Sequence, residues 1–395
     1  MQWLNPARDL QNGTAYQIEL CTPPYFHSLY FQRDPPNRLA YLTKVNSFHY
    51  EHILNNPGAF EIVLPAETRR DSLIRNHWLI FSRRPQGARM CVDFVGIIRR
   101  IETVGDESGN VVARKIFGFG LNHILSNRII LDDTVTTLFR TGPGYRTGPA
   151  DDVMRDYVRN NFKMSVGGNE VPYQDSVNNS DGPTVTINAR FRNLLETLQD
   201  ISNQADEKGT KVFFEVVYHP LSVTNGPDVR TAHFLVKVNR FGNDRRQSTG
   251  RGIVFGPGQY ASPVLIEDAS TEINTGFAVH SASNLSLSYQ VHEDTARSKY
   301  SAWARREAII NVSDSNSTIL LDAAKGLVHS GRIKNVFTGS LRSTPGRVYG
   351  KDWGYGDEVS VQFDGRQFDA MVRAVMVTVD ENGQEKIQAP VEAEL

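Results

Sequence analysis

The sequence predicts a β-rich α+β protein of several domains, with two β-barrels and an α/β insertion between them. Three observations carry this. Most apolar runs are short, rich in Val, Ile and Phe, and bounded by Gly, Pro, Asn or Asp, which is the strand signature. Only three segments, widely separated, return their apolar residues every three or four positions as an amphipathic helix does. A strand–turn–strand–turn order near residue 80 recurs near residue 360.

The strands in chain order are Phe60–Leu64, Trp78–Phe81, Phe94–Ile98, Val212–Val217, Phe234–Val238, Val359–Phe363 and Phe368–Val379. In the sixth, Val359, Val361 and Phe363 alternate with Ser360 and Gln362, as a half-buried strand requires. The first helix follows Pro149, has Asp151 and Asp152 in its first turn and carries Val153, Met154, Tyr157, Val158 and Phe162. The second spans about Asn188 to Ala205, with Phe191, Leu194, Leu195, Leu198 and Ile201 on one stripe. The third runs from about Thr318 to His329 and is expected to end at Gly331 in a left-handed cap. Thr141–Thr147 and Gly167–Pro183 are polar and Gly-rich and are expected as loops.

The repeat runs from Trp78–Phe81 through a turn at Gly87 to Phe94–Ile101 and the charged turn Gly105–Asn110. It returns as Val359–Phe363, a turn at Gly365, Phe368–Val379 and the turn Asp380–Gly383. Two β-hairpins of any origin could look alike; the sharper expectation is a duplicated barrel. The division expected is a first barrel over 1–140, an α/β insertion over 141–225, a second β-rich part over 226–335, and C-terminal strands over 336–395 that close the second barrel.

Composition narrows the function. Forty-three basic and forty-four acidic side chains leave a formal charge of −1, so no global field draws the chain to nucleic acid or to an anionic membrane. Two cysteines, Cys21 and Cys91, exclude a disulfide scaffold and any CxxC site. No signal-like N-terminus and no long uncharged apolar run is present, so neither secretion nor a membrane anchor is expected. That leaves sequons such as Asn12-Gly13-Thr14 and Asn284-Leu285-Ser286 without a glycosylating route.

Enzymatic motifs are absent: no nucleophile elbow, no P-loop and no Cys–His signature occurs. No catalytic residue, cofactor or metal site is expected. His49-Tyr50-Glu51-His52 would place two imidazoles on one face of a helix, but its spacing is not that of HExxH. Phe255-Gly256-Pro257-Gly258 lacks the phosphate-binding Lys and is expected as a plain turn. Arg240, Arg245, Arg246 and Arg251 among Gly, Asn and Ser form a basic loop, either solvated or an interface for phosphates or a carboxylate surface. A carbohydrate-active or carbohydrate-binding β-protein is the rival class, with Trp3, Trp78, Trp303 and Trp353 available to stack on sugar rings.

Several segments together resemble the hub or tail-tip proteins of tailed-phage baseplates, including those of long-tailed siphoviruses. They are Gly58–Pro65, Phe94–Ile98, Phe117-Gly118-Phe119-Gly120-Leu121 with Leu125 and Arg128, the helix Ala150–Phe162, the helix beginning Ala189-Arg190-Phe191-Arg192-Asn193-Leu194-Leu195, and Arg305–Glu307. Tyr349-Gly350-Lys351-Asp352-Trp353-Gly354-Tyr355-Gly356-Asp357-Glu358-Val359 is similar to that family's Tyr-Gly-x-Asp-aromatic…Gly-Asp-x-Val stretch. The resemblance covers about residues 58 to 390; the first fifty residues depart from it.

What the resemblance implies is a homotrimeric ring of tube-like barrels in the virion, assembled in the host cytoplasm. The ring would adapt a six-fold tail tube, or its distal tail protein, to a three-fold tip. It would bind a spike or receptor-binding protein below and leave a channel for the tape-measure protein and for DNA in transit. The same part would serve a contractile or a non-contractile tail. With the chain ending at Leu395, no lysozyme or peptidase extension is expected. Trp78, Ile80, Ile97, Val359, Val361 and Val372 lie on the strands expected to shape the ring, and the arginine loop is expected at a subunit interface or on the channel wall.

Overall fold

The computed structural model describes residues 8–9, 14–23, 25–27, 32–34, 38–68, 77–85, 88–130, 145–163, 173–175, 179–189, 191–218, 232–250, 252–281, 287–301, 303–312, 315–332 and 334–394. Hydrophobic alternation decides its central element. Strand Trp78–Arg84 turns Leu79 and Phe81 to one side and Trp78 and Ile80 to the other, and all four are buried. A strand apolar on both sides must be covered on both sides. One side meets the chain's C-terminal strands; the other meets the helical segment 150–238.

Among the described residues the main sheet has sixteen strands, twelve along one continuous path and four branching from it. Ala15–Cys21, Trp78–Arg84, Cys91–Gly105, Val111–Gly120, Ala59–Pro65 and Ser47–Ile53 follow one another as antiparallel neighbours. Ser47–Ile53 then pairs with Ala374–Val379, more than 300 residues along the chain. The expected strand Phe368–Val379 is two strands, broken at Arg373, whose carbonyl accepts from the Leu54 N–H at 2.9 Å. Arg366–Val372 pairs with Glu358–Phe363, Ala374–Val379 pairs with Ser47–Ile53, and both run beside Glu385–Glu394. This bent strand therefore belongs to both halves of the sheet. Among the described residues the pairing closes into no barrel, and the two barrels expected from the repeat are joined as one sheet over a shared core.

The repeat is nevertheless real at its tips. In the first, the Asp106 N–H donates to the Asn110 carbonyl and the Gly109 N–H to the Asp106 carbonyl; in the second, Asp380, Gln384 and Gly383 do the same. Gly109 and Gly383 both have positive φ, 81° and 74°, which is why glycine stands there.

Three α-helices of fourteen residues match the three expected, Ala150–Lys163, Leu194–Glu207 and Ser317–Ser330. The second starts later than its periodicity suggested. Asn193 caps it by accepting from the Glu196 N–H, and Phe191 sits outside the helix, exposed and at φ +60°, instead of on the buried stripe. The first two helices pack with Val212–Tyr218 and Ala232–Val238 on the outer face of the main sheet. The third covers the three-stranded sheet Leu287–Glu293, Thr275–Ser281, Glu307–Asn311. Gly331 ends that helix at φ −91°, not in the left-handed region. A Cβ there would lie 2.5 Å from the Ile273 Cβ, so the glycine permits close approach instead of a turn.

Parts of the two expected loops are strand: Tyr145–Pro149 pairs with Thr184–Asn188, and Tyr173–Asp175 pairs in parallel with Ala232–Phe234. Trp3, Gly87, Arg251, residues 141–144 and the asparagines of both sequons lie outside the described residues.

Candidate functional site

The feature that fixes the two halves of the sheet together is a buried polar junction. Arg83 ends a first-half strand, and Glu385 begins the Glu385–Glu394 strand of the second. Their side chains are 2% and 4% exposed and meet at 2.9 Å. The Arg83 Nε–H also donates to the Tyr16 hydroxyl at 2.9 Å, its Nη1 to the Tyr349 carbonyl at 2.6 Å, and Tyr16 donates to Glu385 at 2.5 Å. Burial works against the Arg83 charge, but the Tyr16, Glu385 and Asp93 groups around it raise its pKa above the usual value, so it stays a cation. Asp93 accepts from Tyr50 and from Tyr349, the latter at 3.0 Å. Burial first, and the Asp93 charge second, push both phenols well above their ordinary range, so they remain donors.

The stretch Tyr349–Val359 is the frame for this junction. Gly350 has φ +77°, and a Cβ on it would crowd the Arg83 Nη1 at 3.0 Å. Asp352 accepts from the Val348 N–H at 2.7 Å, and the Trp353 indole N–H donates to the Arg347 carbonyl at 2.9 Å. Trp353 is buried, edge-on to Phe255. Asp357 is buried and accepts from the Gly354 N–H at 2.9 Å, the Asn243 N–H at 2.7 Å and the Arg245 Nε–H at 2.6 Å. Asp352, Trp353 and Asp357 thus hold backbone with their side chains.

Against known families, residues 36–391 match the model described as Siphovirus ReqiPepy6 Gp37-like protein. The chain belongs to that family. This Gp37-like chain shares its fold with the 43 kDa tail protein of prophage MuSo2 from Shewanella oneidensis, at TM-score 0.55 and 10% identity over 95% of this chain and 98% of that one. A tail protein of Neisseria meningitidis matches at TM-score 0.52 and 12% identity over 95% and 96%. A chain of the Francisella PdpA–VgrG complex matches at TM-score 0.52 and 10% identity, over 98% of this chain and 53% of that one. No curated protein matches by sequence. The resemblance to phage tail proteins read from the residue motifs therefore holds across most of the chain.

In the Gp37-like chain the residues expected to shape a ring face its own interior. Trp78, Ile80 and Ile97 pack under the helices, and Val359, Val361 and Val372 lie in the shared core. The arginine loop is drawn together by its own Asp244 and by the sequence-distant Asp357 and Glu358. Arg240 pairs with Asp244 at 2.8 Å and Glu358 at 2.9 Å, Arg245 with Asp357 at 2.6 Å, and Arg246 with Asp244 at 2.7 Å and Glu358 at 3.2 Å. The hydrogen bond from Arg246, foremost among these contacts, holds the Asp244 carboxyl far below the usual range. Of the tryptophans proposed for sugar stacking, Trp78 and Trp353 are core and Trp303 is 89% exposed.

His49 and His52 lie on the strand Ser47–Ile53, where an odd separation puts them on opposite faces, so they share no helix face. Phe255–Gly258 is the turn expected, with Gly258 at φ +86°. Cys21 is buried and Cys91 exposed, and neither is in a disulfide. No local pattern points to the Arg83–Glu385 pair, which joins groups 302 residues apart.

His52 itself bridges the sheet and the helical segment: its Nδ1 is 3.7 Å from Glu215, and its ring packs 4.8 Å from Tyr355 and 5.0 Å from Phe94. Burial opposes its charge, but the Glu215 carboxylate, helped by Asp93, outweighs burial and raises its pKa above the usual value. Stability from the charged pair is then present in full below the unfolded value and lost as pH rises through the raised folded value. Urea melts of wild type and His52→Gln at pH 6 and pH 8.5 should differ more at pH 6. An equal gap at both would remove the ion pair from the account.

Proposed function

We propose that the chain is a structural hub at the distal end of a siphovirus tail, three copies forming a ring that adapts the six-fold tube to a three-fold tip. The ring leaves a channel for the tape-measure protein and for DNA in transit, and the part is assembled in the host cytoplasm before it enters the virion. The observation that carries this is the shared fold: membership of the Gp37-like family, with tail-protein architecture across 95% of the chain. The role is one of surfaces and rigidity rather than catalysis. Likeness to a chain from a complex containing VgrG supports a spike-type partner on the tip side and the tail tube or distal tail protein on the other.

In this reading the segments 1–140 and 226–395 supply the two tube-like units, 336–395 completing the second, and 141–225 is the outward insertion. Trp78, Ile80, Ile97, Val359, Val361 and Val372 shape the ring wall from within, as core residues that fix the strands. Arg240, Arg245 and Arg246 keep roughly a third of their side-chain surface exposed, at 35%, 33% and 31%, and meet a neighbour along those edges. Light scattering over a concentration series, with class-averaged electron micrographs, should give three times the 44.3 kDa chain mass and a ring with a central hole. A monomer at every concentration, or a closed particle without a hole, would refute the ring.

A further inference from the structure

In the small sheet Leu287–Glu293, Thr275–Ser281, Glu307–Asn311, the strand Leu287–Glu293 is inside out. Its strand register puts Leu287, Tyr289 and Val291 on one face with Phe277, Val279 and Ile309. That face is bare: Leu287 is 62%, Tyr289 59% and Ile309 66% exposed. The polar residues Ser288, Gln290 and His292 point the other way, half-buried toward the helix Ser317–Ser330. A strand normally turns its apolar side to the core. A contiguous apolar face on the solvent side marks an interaction surface.

Beside this face the segment Thr295–Arg306 carries four cations and no carboxylate, together with Tyr300 and Trp303 at 88% and 89% exposure. Arg297 and Arg305 are tied to Asp294, Glu272, Glu293 and Glu307, whereas Lys299 and Arg306 make no ion pair among the described residues. Bare aromatics with arginine are the side chains that dominate protein–protein contacts.

A complementary surface exists elsewhere on the same chain. The long hairpin Cys91–Gly105, Val111–Gly120 ends in a tip running from Thr103 to Ala113 that contains Asp106 and Glu107 and no cation. Val111 and Val112 are 38% and 48% exposed, and a Cβ on Gly109 would touch nothing within 4 Å. The tip is acidic and apolar; the sheet is apolar with a basic rim. Two different patches that fit one another make a head-to-tail contact, the kind that closes into a ring.

From this we infer that the hairpin tip of one copy docks on the Phe277–Tyr289–Ile309 face of the next copy, with Glu107 toward Lys299 and Arg306. The inference rests on the ring reading. It is tested by charge exchange, because an attractive pair reversed on both sides is restored.

Lys299→Glu with Arg306→Glu, and separately Glu107→Lys with Ser108→Lys, are each expected to raise the midpoint concentration for assembly by tenfold or more in light scattering. Asp106 is left in place because it holds the turn by accepting from the Asn110 N–H. Trp303→Ala should act in the same direction. Combining all four charge changes should bring the midpoint back to within about threefold of wild type, and high salt should weaken wild-type assembly. Reversals without effect, or a combined variant as weak as the single pairs, overturn the docking and leave the ring standing. Wild type that never assembles overturns both. Unchanged mass with lost binding of Lys299→Glu, Arg306→Glu to phosphatidylglycerol vesicles would assign the face to lipid and overturn the docking.

Discussion

Arg83→Met is expected to lower the unfolding free energy by about 3–5 kcal/mol, because it strips the cation from a buried pair and leaves Glu385 charged in the interior. The loss is compound. The Tyr349 carbonyl and the Tyr16 hydroxyl lose the guanidinium as well. Replacing both partners with apolar residues, as Arg83→Met with Glu385→Leu, should recover most of the loss, since no buried charge is left alone. Urea unfolding followed by tryptophan fluorescence reads this directly, as Trp353 lies in the same core. A single variant within about 1 kcal/mol of wild type would show that the junction is dispensable.

A comparable effect is expected at Gly118. A Cβ there would stand 1.9 Å from the Ile97 carbonyl oxygen and 2.5 Å from the Phe60 ring. Overpacking typically costs about 1–3 kcal/mol, and a clash with backbone belongs at or above the top of that range. Gly96 is the control. A Cβ on it would meet the Phe60 ring at 2.3 Å and Phe94 at 3.1 Å, both side chains. Phe60→Leu should therefore rescue Gly96→Ala and fail to rescue Gly118→Ala. Equal rescue of both in thermal melts would mean that the Phe60 ring, not the Ile97 carbonyl, sets the limit at Gly118.

These two cases also show where sequence is legible. Local chemistry was: Val and Ile alternation located the strands, Asp151 and Asp152 marked a helix start, and the Asp-x-x-Gly tips were recognisable as turns. The helix start at Asn193 was missed because Phe191 fits the helical period while its backbone is left-handed. Long-range pairing was not legible. Nothing in Ser47–Ile53 says that its second neighbour is Ala374–Val379, so a repeated hairpin suggested two barrels where one sheet runs through. Charge misled for the same reason. Arg240, Arg245 and Arg246 look free until Asp357 and Glu358 arrive from over a hundred residues later. The Phe117–Leu121 motif is visible in the sequence, but the cause of its glycines, the Ile97 and Pro57 carbonyls pressing on Gly118 and Gly120, is spatial.

The shared bent strand has a consequence for how the chain is made. During translation Ser47–Ile53 leaves the ribosome early, pairs with Ala59–Pro65 and then waits, its other edge open, until Ala374–Val379 is synthesised. At ordinary elongation rates of about 5–20 residues per second that wait lasts on the order of tens of seconds. An open edge is a template for a wrong partner, and several nascent copies on one message would present the same edge side by side. A chain cut short before Ala374 would keep that edge of Ser47–Ile53 without its partner strand.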